Sequence, residues 1–278
     1  MPPIFTYQIT PSGWQSIATQ ARSADELTRQ FPQGFYTTFR TLAGGTKVLD
    51  LASHLKRLYQ PAQEQGIRPI ISAWELRAIV GQLAGERSPN ESRIRLIMST
   101  SDSPGMVYIL LEPFQPLSPS IYREGVHVIC RPLERVTPRL KSTRFIENSQ
   151  SARQLVQADI FEVLMIRRGH ILEGMTSNFF YIKDGDLGTA RWDVLLGVTR
   201  RTVLRVAQGS GFSIVYRPMK QEQIPALNEA FLTSSSRGIV PIVQIDDVTV
   251  GEGIPSPITK KLIEGYQNYI MRHAENIA

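Results

Sequence analysis

The sequence predicts a mixed α/β protein built as two compact units. Three observations carry this: helical stripes and short apolar strands alternate in the first part of the chain, a proline-rich segment interrupts them, and strands dominate afterwards. A length of 278 residues allows two units, each with its own core. Hydrophobic residues make up 42% and charged residues 20%, a globular composition, and no apolar run approaches the roughly 18 residues that cross a bilayer.

Taken in order, residues 50–60 read as a helix, with Leu51, Leu55 and Leu58 as its apolar stripe and Asp50 placed to cap the first turn. That helix puts His54 and Arg57 on one face. Ser72 and Glu75 form a capping box ahead of Leu76, Ile79, Val80 and Leu83, which recur at helical spacing. Residues 93–98 and 107–112 read as strands on either side of the turn-forming SDSPG. PFQPLSPS, residues 113–120, reads as a linker, so the expected domains are 1–115 and 123–278. Beyond it the pattern predicts a strand at 126–131, a helix at about 147–158, and strands at 161–167, 171–173 and 179–183. Thr199 opens a helix that stops at Gly209 to Gly211; strands at 213–217, 230–234 and 242–245 follow, and Pro257 starts a last helix.

Composition also bounds partners and place. The start MPPIFTYQITPSGW lacks the layout of a secretory signal, and the one cysteine, Cys130, has no internal partner, so a cytoplasmic protein is expected. The net charge of +6 is spread over short groups such as Arg131, Arg135, Arg139, Lys141 and Arg144, with no interleaved aromatic platform. A basic pocket for a small polyanion fits that cluster better than nucleic acid does, and no membrane partner is expected.

No HExxH, GxSxG, phosphate-loop or GxGxxG signature occurs, and four histidines with one cysteine make no metal cluster. Attention passes to lysine, arginine and carboxylate chemistry. A helix opening at LGVTR could hold a phosphate on its N-terminal N–H groups through Val198 and Thr199, with Ser235 of FLTSSSRG adding a hydroxyl; read singly, Thr199 is an ordinary cap and the serines a solvated turn. Lys141 can be read as a surface lysine, or as an amine between Arg139 and Arg144 whose pKa is lowered as Schiff-base chemistry requires.

Taken together, GFYTTFRT (34–41), HLKRL (54–58), LKSTRF (140–145), EGMTSNFF (173–180), LGVTRRTV (196–203) and FLTSSSRGIVPI (231–242) resemble, in order and spacing, the motifs of the class IV aminotransferases. That family contains branched-chain and D-amino acid aminotransferases and aminodeoxychorismate lyases, all dependent on pyridoxal 5′-phosphate. The resemblance implies fold type IV: a smaller N-terminal α/β domain and a larger C-terminal pseudo-barrel domain, with the cofactor between them and a homodimer as the assembly. It makes Lys141 the lysine that bonds the cofactor and moves the proton, and Glu173 the carboxylate facing the pyridine nitrogen. Arg57, Val198, Thr199 and Ser235 become the phosphate contacts. For substrate it implies Tyr36 and Thr38 in the pocket, and Arg95 on a small-domain strand as in branched-chain enzymes. Ser236 and Arg237 fall in the turn whose N–H groups take the substrate carboxylate, where a cationic side chain could bind a second one. Ile146 stands where branched-chain enzymes often have tyrosine, Arg144 where the other branches often have asparagine, and Thr100-Ser101 where those branches often have Arg-Gly. The expected reaction is amino transfer between an amino acid and a 2-oxo acid. The alternatives are the lyase, releasing 4-aminobenzoate and pyruvate, and a binding protein that kept the scaffold without the chemistry.

Overall fold

The computed structural model describes residues 3–157 and 159–277. The chain divides into two units, one formed by residues up to Gln115 with Leu140–Asn148 and the segment from His273 on, the other by Pro116–Arg139 and Ser149–Arg272. A single cut near residue 115 therefore describes the division incompletely, because the Lys141 segment and the C-terminal tail pack with the first unit.

The first unit contains β1 (Phe5–Thr10), β2 (Gly13–Ser16), α1 (Ala24–Thr28), β3 (Gly34–Leu42), β4 (Lys47–Val48), α2 (Leu51–Glu64), α3 (Ala73–Gly85), β5 (Ser92–Ser99) and β6 (Val107–Pro113). Asp50 caps α2 as expected, accepting from Ser53 N at 3.3 Å, and the helix runs past residue 60 through Pro61. The Ser72–Glu75 capping box is present, with contacts of 2.7 and 3.2 Å. Leu51, Leu55 and Leu58 are buried against Phe35 and Phe39 of β3 and Leu76 and Val80 of α3. Burial of each such side chain contributes about 1.5–3 kcal/mol. β3 alternates as a strand must, so Tyr36 faces away from this cluster and packs with Ile97, Leu110 and Ile146.

The chain continues through α4 (Pro119–Glu124) and β7 (Val126–Pro132), then α5 (Arg144–Asn148) and α6 (Gln150–Arg153), where one helix at about 147–158 was expected. Residue 158 lies outside the described residues. β8 (Ile160–Arg167), β9 (His170–Gly174), β10 (Asn178–Lys183), β11 (Asp186–Gly188), α7 (Val198–Gly209), β12 (Ile214–Val215), β13 (Met219–Lys220), β14 (Glu229–Ser234), β15 (Gly238–Ile245), β16 (Val248–Thr249), α8 (Pro257–His273) and β17 (Glu275–Asn276) complete it. Pro119 starts α4 inside the segment read as linker.

In the first unit the sheet is antiparallel, in the order β17-β4-β3-β5-β6-β1-β2. Its C-terminal strand is held by more than pairing: Glu275 accepts from Leu51 N at 2.9 Å and pairs with Arg77 at 3.1 Å. In the second unit β10, β14, β15, β7, β8 and β9 are linked in sequence, and a pairing of β9 with β10 closes them into a barrel. The register of that closing pair is Asn178 opposite Glu173. Among the described residues no helix is long and apolar enough to cross a membrane, and no cluster of metal-ligating side chains occurs.

Candidate active site

In the first unit the Lys141 segment behaves as a short extra strand beside β3. Tyr36 N donates to Lys141 O at 2.8 Å, Thr143 N to Gly34 O at 2.9 Å, and Gly34 N to Thr143 Oγ1 at 2.9 Å. Glycine is needed at 34, since a Cβ there would lie 2.1 Å from the Met98 carbonyl oxygen of β5. The Lys141 side chain is half-buried, with Nζ 4.8 Å from the centroid of the Tyr36 ring. Of the two flanking arginines, Arg144 is exposed and turns to Gln33 Oε1 at 2.9 and 3.1 Å. Arg139 is exposed too and, in the second unit, donates to Arg191 O at 3.0 Å.

Arg57 is half-buried on α2, one turn after His54, whose Nδ1 lies 2.7 Å from Thr37 Oγ1. Arg95 is 5% exposed, so it is no ordinary surface arginine. Its Nε donates to Thr38 Oγ1 at 3.2 Å, its Nη1 to Ala24 O at 2.9 Å and Thr28 Oγ1 at 2.7 Å, and its Nη2 pairs with Asp25 Oδ1 at 2.7 Å. The guanidinium also lies 5.1 Å from the Tyr36 ring centroid, so Arg95 and Lys141 share one aromatic neighbour.

In the second unit Glu173 is 1% exposed and fully engaged. Oε1 accepts from Arg135 Nε at 2.9 Å and Leu195 N at 3.1 Å; Oε2 accepts from Asn178 Nδ2 at 2.8 Å and Leu195 N at 3.2 Å. This partner set suits an ionised carboxylate, an acceptor only. Arg135 is fixed in turn by Met175 O at 2.8 Å. The sequence showed Arg135 only as one member of a basic cluster; its pairing across the fold had no local signal.

α7 begins one residue after Gly197, which is its N-cap and brings no side-chain acceptor; Thr199 sits inside the first turn. A Cβ at 197 would lie 2.2 Å from Asn178 Oδ1, so glycine lets the helix start close against the amide that binds Glu173. Val198 and Thr199 are both 3% exposed, and the Thr199 hydroxyl donates to Ser235 Oγ at 3.4 Å. Three of the four residues expected at a phosphate therefore meet within this unit. Arg200, also buried, donates to Ala190 O at 2.8 Å, and burial is the main cause that lowers its pKa. Ser235, Ser236 and Arg237 form the tight connection between β14 and β15, where Ser234 pairs with Gly238. Arg237 Nε donates to Ser234 Oγ at 3.1 Å, its Nη2 to Glu162 Oε2 at 3.3 Å and to Thr176 Oγ1, and its guanidinium lies over Phe161. Glu162, 2% exposed, also accepts from Val163 N, Thr176 N and Ser177 Oγ, each at 3.2 Å.

The first unit offers an amine on an aromatic ring, and the second a buried carboxylate with fixed donors and a helix start beside two hydroxyls; each is a kind of group that suits pyridoxal 5′-phosphate. The sequence model of the amino-transferase class IV family matches residues 34–245. The chain is 27% identical to a D-alanine aminotransferase of Bacillus licheniformis over 254 residues, 87% of this chain and 89% of that relative. It is 23% identical to a branched-chain-amino-acid aminotransferase of Pseudomonas aeruginosa over 249 residues, 83% of this chain and 81% of the relative. The fold is similar to that of a branched-chain aminotransferase of the thermophilic archaeon Thermoproteus uzoniensis solved with norvaline, with a TM-score of 0.75, 22% identity, and coverage of 99% of each chain. The chain belongs to the class IV aminotransferase family. It is an enzyme, its cofactor is pyridoxal 5′-phosphate, and its reaction is amino transfer between an amino acid and a 2-oxo acid, supported over the lyase and over an inactive scaffold.

Proposed function

We propose that this enzyme transfers the amino group of a branched-chain or D-amino acid to a 2-oxo acid, with Lys141 and Glu173 as its catalytic residues. The observation that carries the assignment is the Glu173 carboxylate, sealed at the barrel seam by Arg135, Asn178 and the Leu195 N–H. Bound cofactor supplies a sink for the electron pair released at the substrate Cα. Every other task falls to side chains. Glu173 holds a proton on the pyridine nitrogen, and its anchored geometry means that no reorganisation is needed as charge develops. Lys141 bonds the cofactor, takes the proton from Cα and returns it; Tyr36 supports its amine from the ring face. Arg57, the N–H groups at Val198 and Thr199, and the hydroxyls of Thr199 and Ser235 bind the phosphate. Tyr36, Thr38, Arg95 and the Ser236–Arg237 turn contact substrate, the turn through its backbone N–H groups. A homodimer in the cytoplasm, acting on small molecules rather than nucleic acid or membrane, completes the reading.

The experiment is borohydride reduction followed by peptide mass spectrometry, together with a panel of L- and D-amino acids offered with 2-oxo acids. The cofactor label is expected on Lys141, and Lys141→Ala is expected to abolish turnover. A label on another lysine, or release of 4-aminobenzoate from aminodeoxychorismate faster than any transamination in the panel, would overturn the reading.

A further inference from the structure

Side chains from four places in the second unit grip one short turn. Residues 235–237 join β14 to β15, with Ser234 facing Gly238 across the gap. At the end of β14, Ser234 Oγ accepts from Arg237 Nε at 3.1 Å. On β8, Glu162 Oε2 accepts from Arg237 Nη2 at 3.3 Å, and Thr176, between β9 and β10, accepts from the same nitrogen. On α4, the Tyr122 hydroxyl donates to Arg237 O at 2.8 Å. The turn is thus held through a guanidinium on one side and a backbone carbonyl on the other. A hairpin-tip arginine ordinarily keeps its charge in water. Here the charge is drawn inward, onto a carboxylate whose side chain is 2% exposed. That carboxylate is itself braced by Thr176 N and Ser177 Oγ, each at 3.2 Å, in the segment that follows Glu173. A rigid anchor therefore stands behind a turn that has only three residues of its own.

We propose that Glu162 and Tyr122 are positioning residues, which act through Arg237 to hold the backbone N–H groups of residues 235–237 in the arrangement that receives the substrate carboxylate. The inference rests on the reading of the Ser236–Arg237 turn as a substrate contact. A loose turn would have to be ordered each time a substrate bound, and that entropy cost would weaken every substrate alike. A braced turn carries the order beforehand. Because the carboxylate stays bound while the amino group is transferred, the brace stabilises bound substrate and transition state equally. Its loss therefore raises KM and leaves kcat nearly unchanged.

The test uses the holoenzyme with a panel of amino and 2-oxo acids, calorimetric titration with 4-methylpentanoate as an unreactive carboxylate, and hydrogen exchange in the peptide that covers the turn. In the unaltered enzyme 4-methylpentanoate is expected to slow exchange in that peptide. If it binds without slowing exchange there, the turn is not the carboxylate site, and the reading and the inference fall together. Glu162→Gln is expected to raise KM for every substrate, and Kd for 4-methylpentanoate, about tenfold, the scale of one hydrogen bond to a charged group, with kcat within about twofold. Exchange at the turn should be faster in this variant before any ligand is added. Tyr122→Phe, which removes a single neutral hydrogen bond, is expected to act in the same direction by about threefold. Arg237→Lys keeps a cation for Glu162, so its KM should lie between those of the parent and Arg237→Met. A role in stability alone would lower Tm and leave KM of the folded enzyme at the parent value. If 4-methylpentanoate slows exchange at the turn, yet Glu162→Gln and Tyr122→Phe match the parent in KM and in exchange, the reading stands and the positioning inference is overturned. Should Glu162→Gln fail to fold, Tyr122→Phe and Arg237→Lys decide by the same criteria.

Discussion

Replacing Arg135 with methionine would leave the Glu173 carboxylate buried without its counter-ion. The two side chains are 3% and 2% exposed and meet at 2.9 Å, so solvent cannot take over the lost partner. Breaking a buried pair from one side costs about 3–5 kcal/mol. At about 2–4 °C per kcal/mol for a chain of this size, the midpoint should fall by on the order of 10 °C. Differential scanning calorimetry of the apoenzyme measures this without the mass-action stabilisation of bound cofactor. The companion Glu173→Gln should also destabilise, by stranding the guanidinium. The double variant should be more stable than the sum of the single losses predicts, by at least about 1.5 kcal/mol, because neither remaining group is charged and alone. Arg135→Met should in addition slow proton removal while the visible absorbance of bound cofactor persists. A single variant within about 1 kcal/mol of the parent, or strictly additive effects, would refute the account of Glu173 as a charge held in place by Arg135.

Gly197→Ala forces a Cβ to within 2.2 Å of Asn178 Oδ1, and overpacking of this kind costs about 1–3 kcal/mol; weaker cofactor binding, followed by fluorescence titration, should accompany the stability loss. Glu229 accepts from Ile258 N at 3.0 Å, Thr259 N at 2.7 Å and Thr259 Oγ1 at 2.6 Å at the start of α8, so Glu229→Ala should lower stability by about 1–3 kcal/mol in urea unfolding. The pKa of Glu75 is lowered chiefly by its side-chain hydrogen bond with Ser72, then by the Ser72 backbone. Its contribution is therefore complete above the ordinary carboxylate range and is lost as pH falls through its own lower value, so the difference in Tm between the parent and Glu75→Gln should shrink on acidification; a difference that grew would contradict the capping box.

Local rules were enough for the parts of this fold that local contacts build. Asp50, and Ser72 with Glu75, cap helices through bonds spanning three residues, and the apolar spacing of Leu51, Leu55 and Leu58 is a property of one helix. The longer strands from 126 onward, β7 to β10, β14 and β15, were legible from their apolar runs, the two- and three-residue strands β11, β13, β16 and β17 were not, and the family motifs were legible because they are contiguous. β1 to β4 were not read, since the β3 and β4 ladders are completed by β5 and by β17, far along the chain, and α1 is too short to show a period. Thr199 looked like a cap in sequence, but Gly197 takes that place because only glycine lets α7 start against Asn178.

Residue types drew attention to Lys141 and Ser235, and the resemblance to the family added Glu173 and Arg57 as candidates. Which charges face one another was decided by the tertiary structure. Arg135 reaches Glu173, Arg95 reaches Asp25, and Arg237 reaches Glu162, each across 38 residues or more and between different elements. A sequence records that an arginine is present, while the energy of its charge depends on burial and on the nearest carboxylate, and both are set only when separate strands come into register.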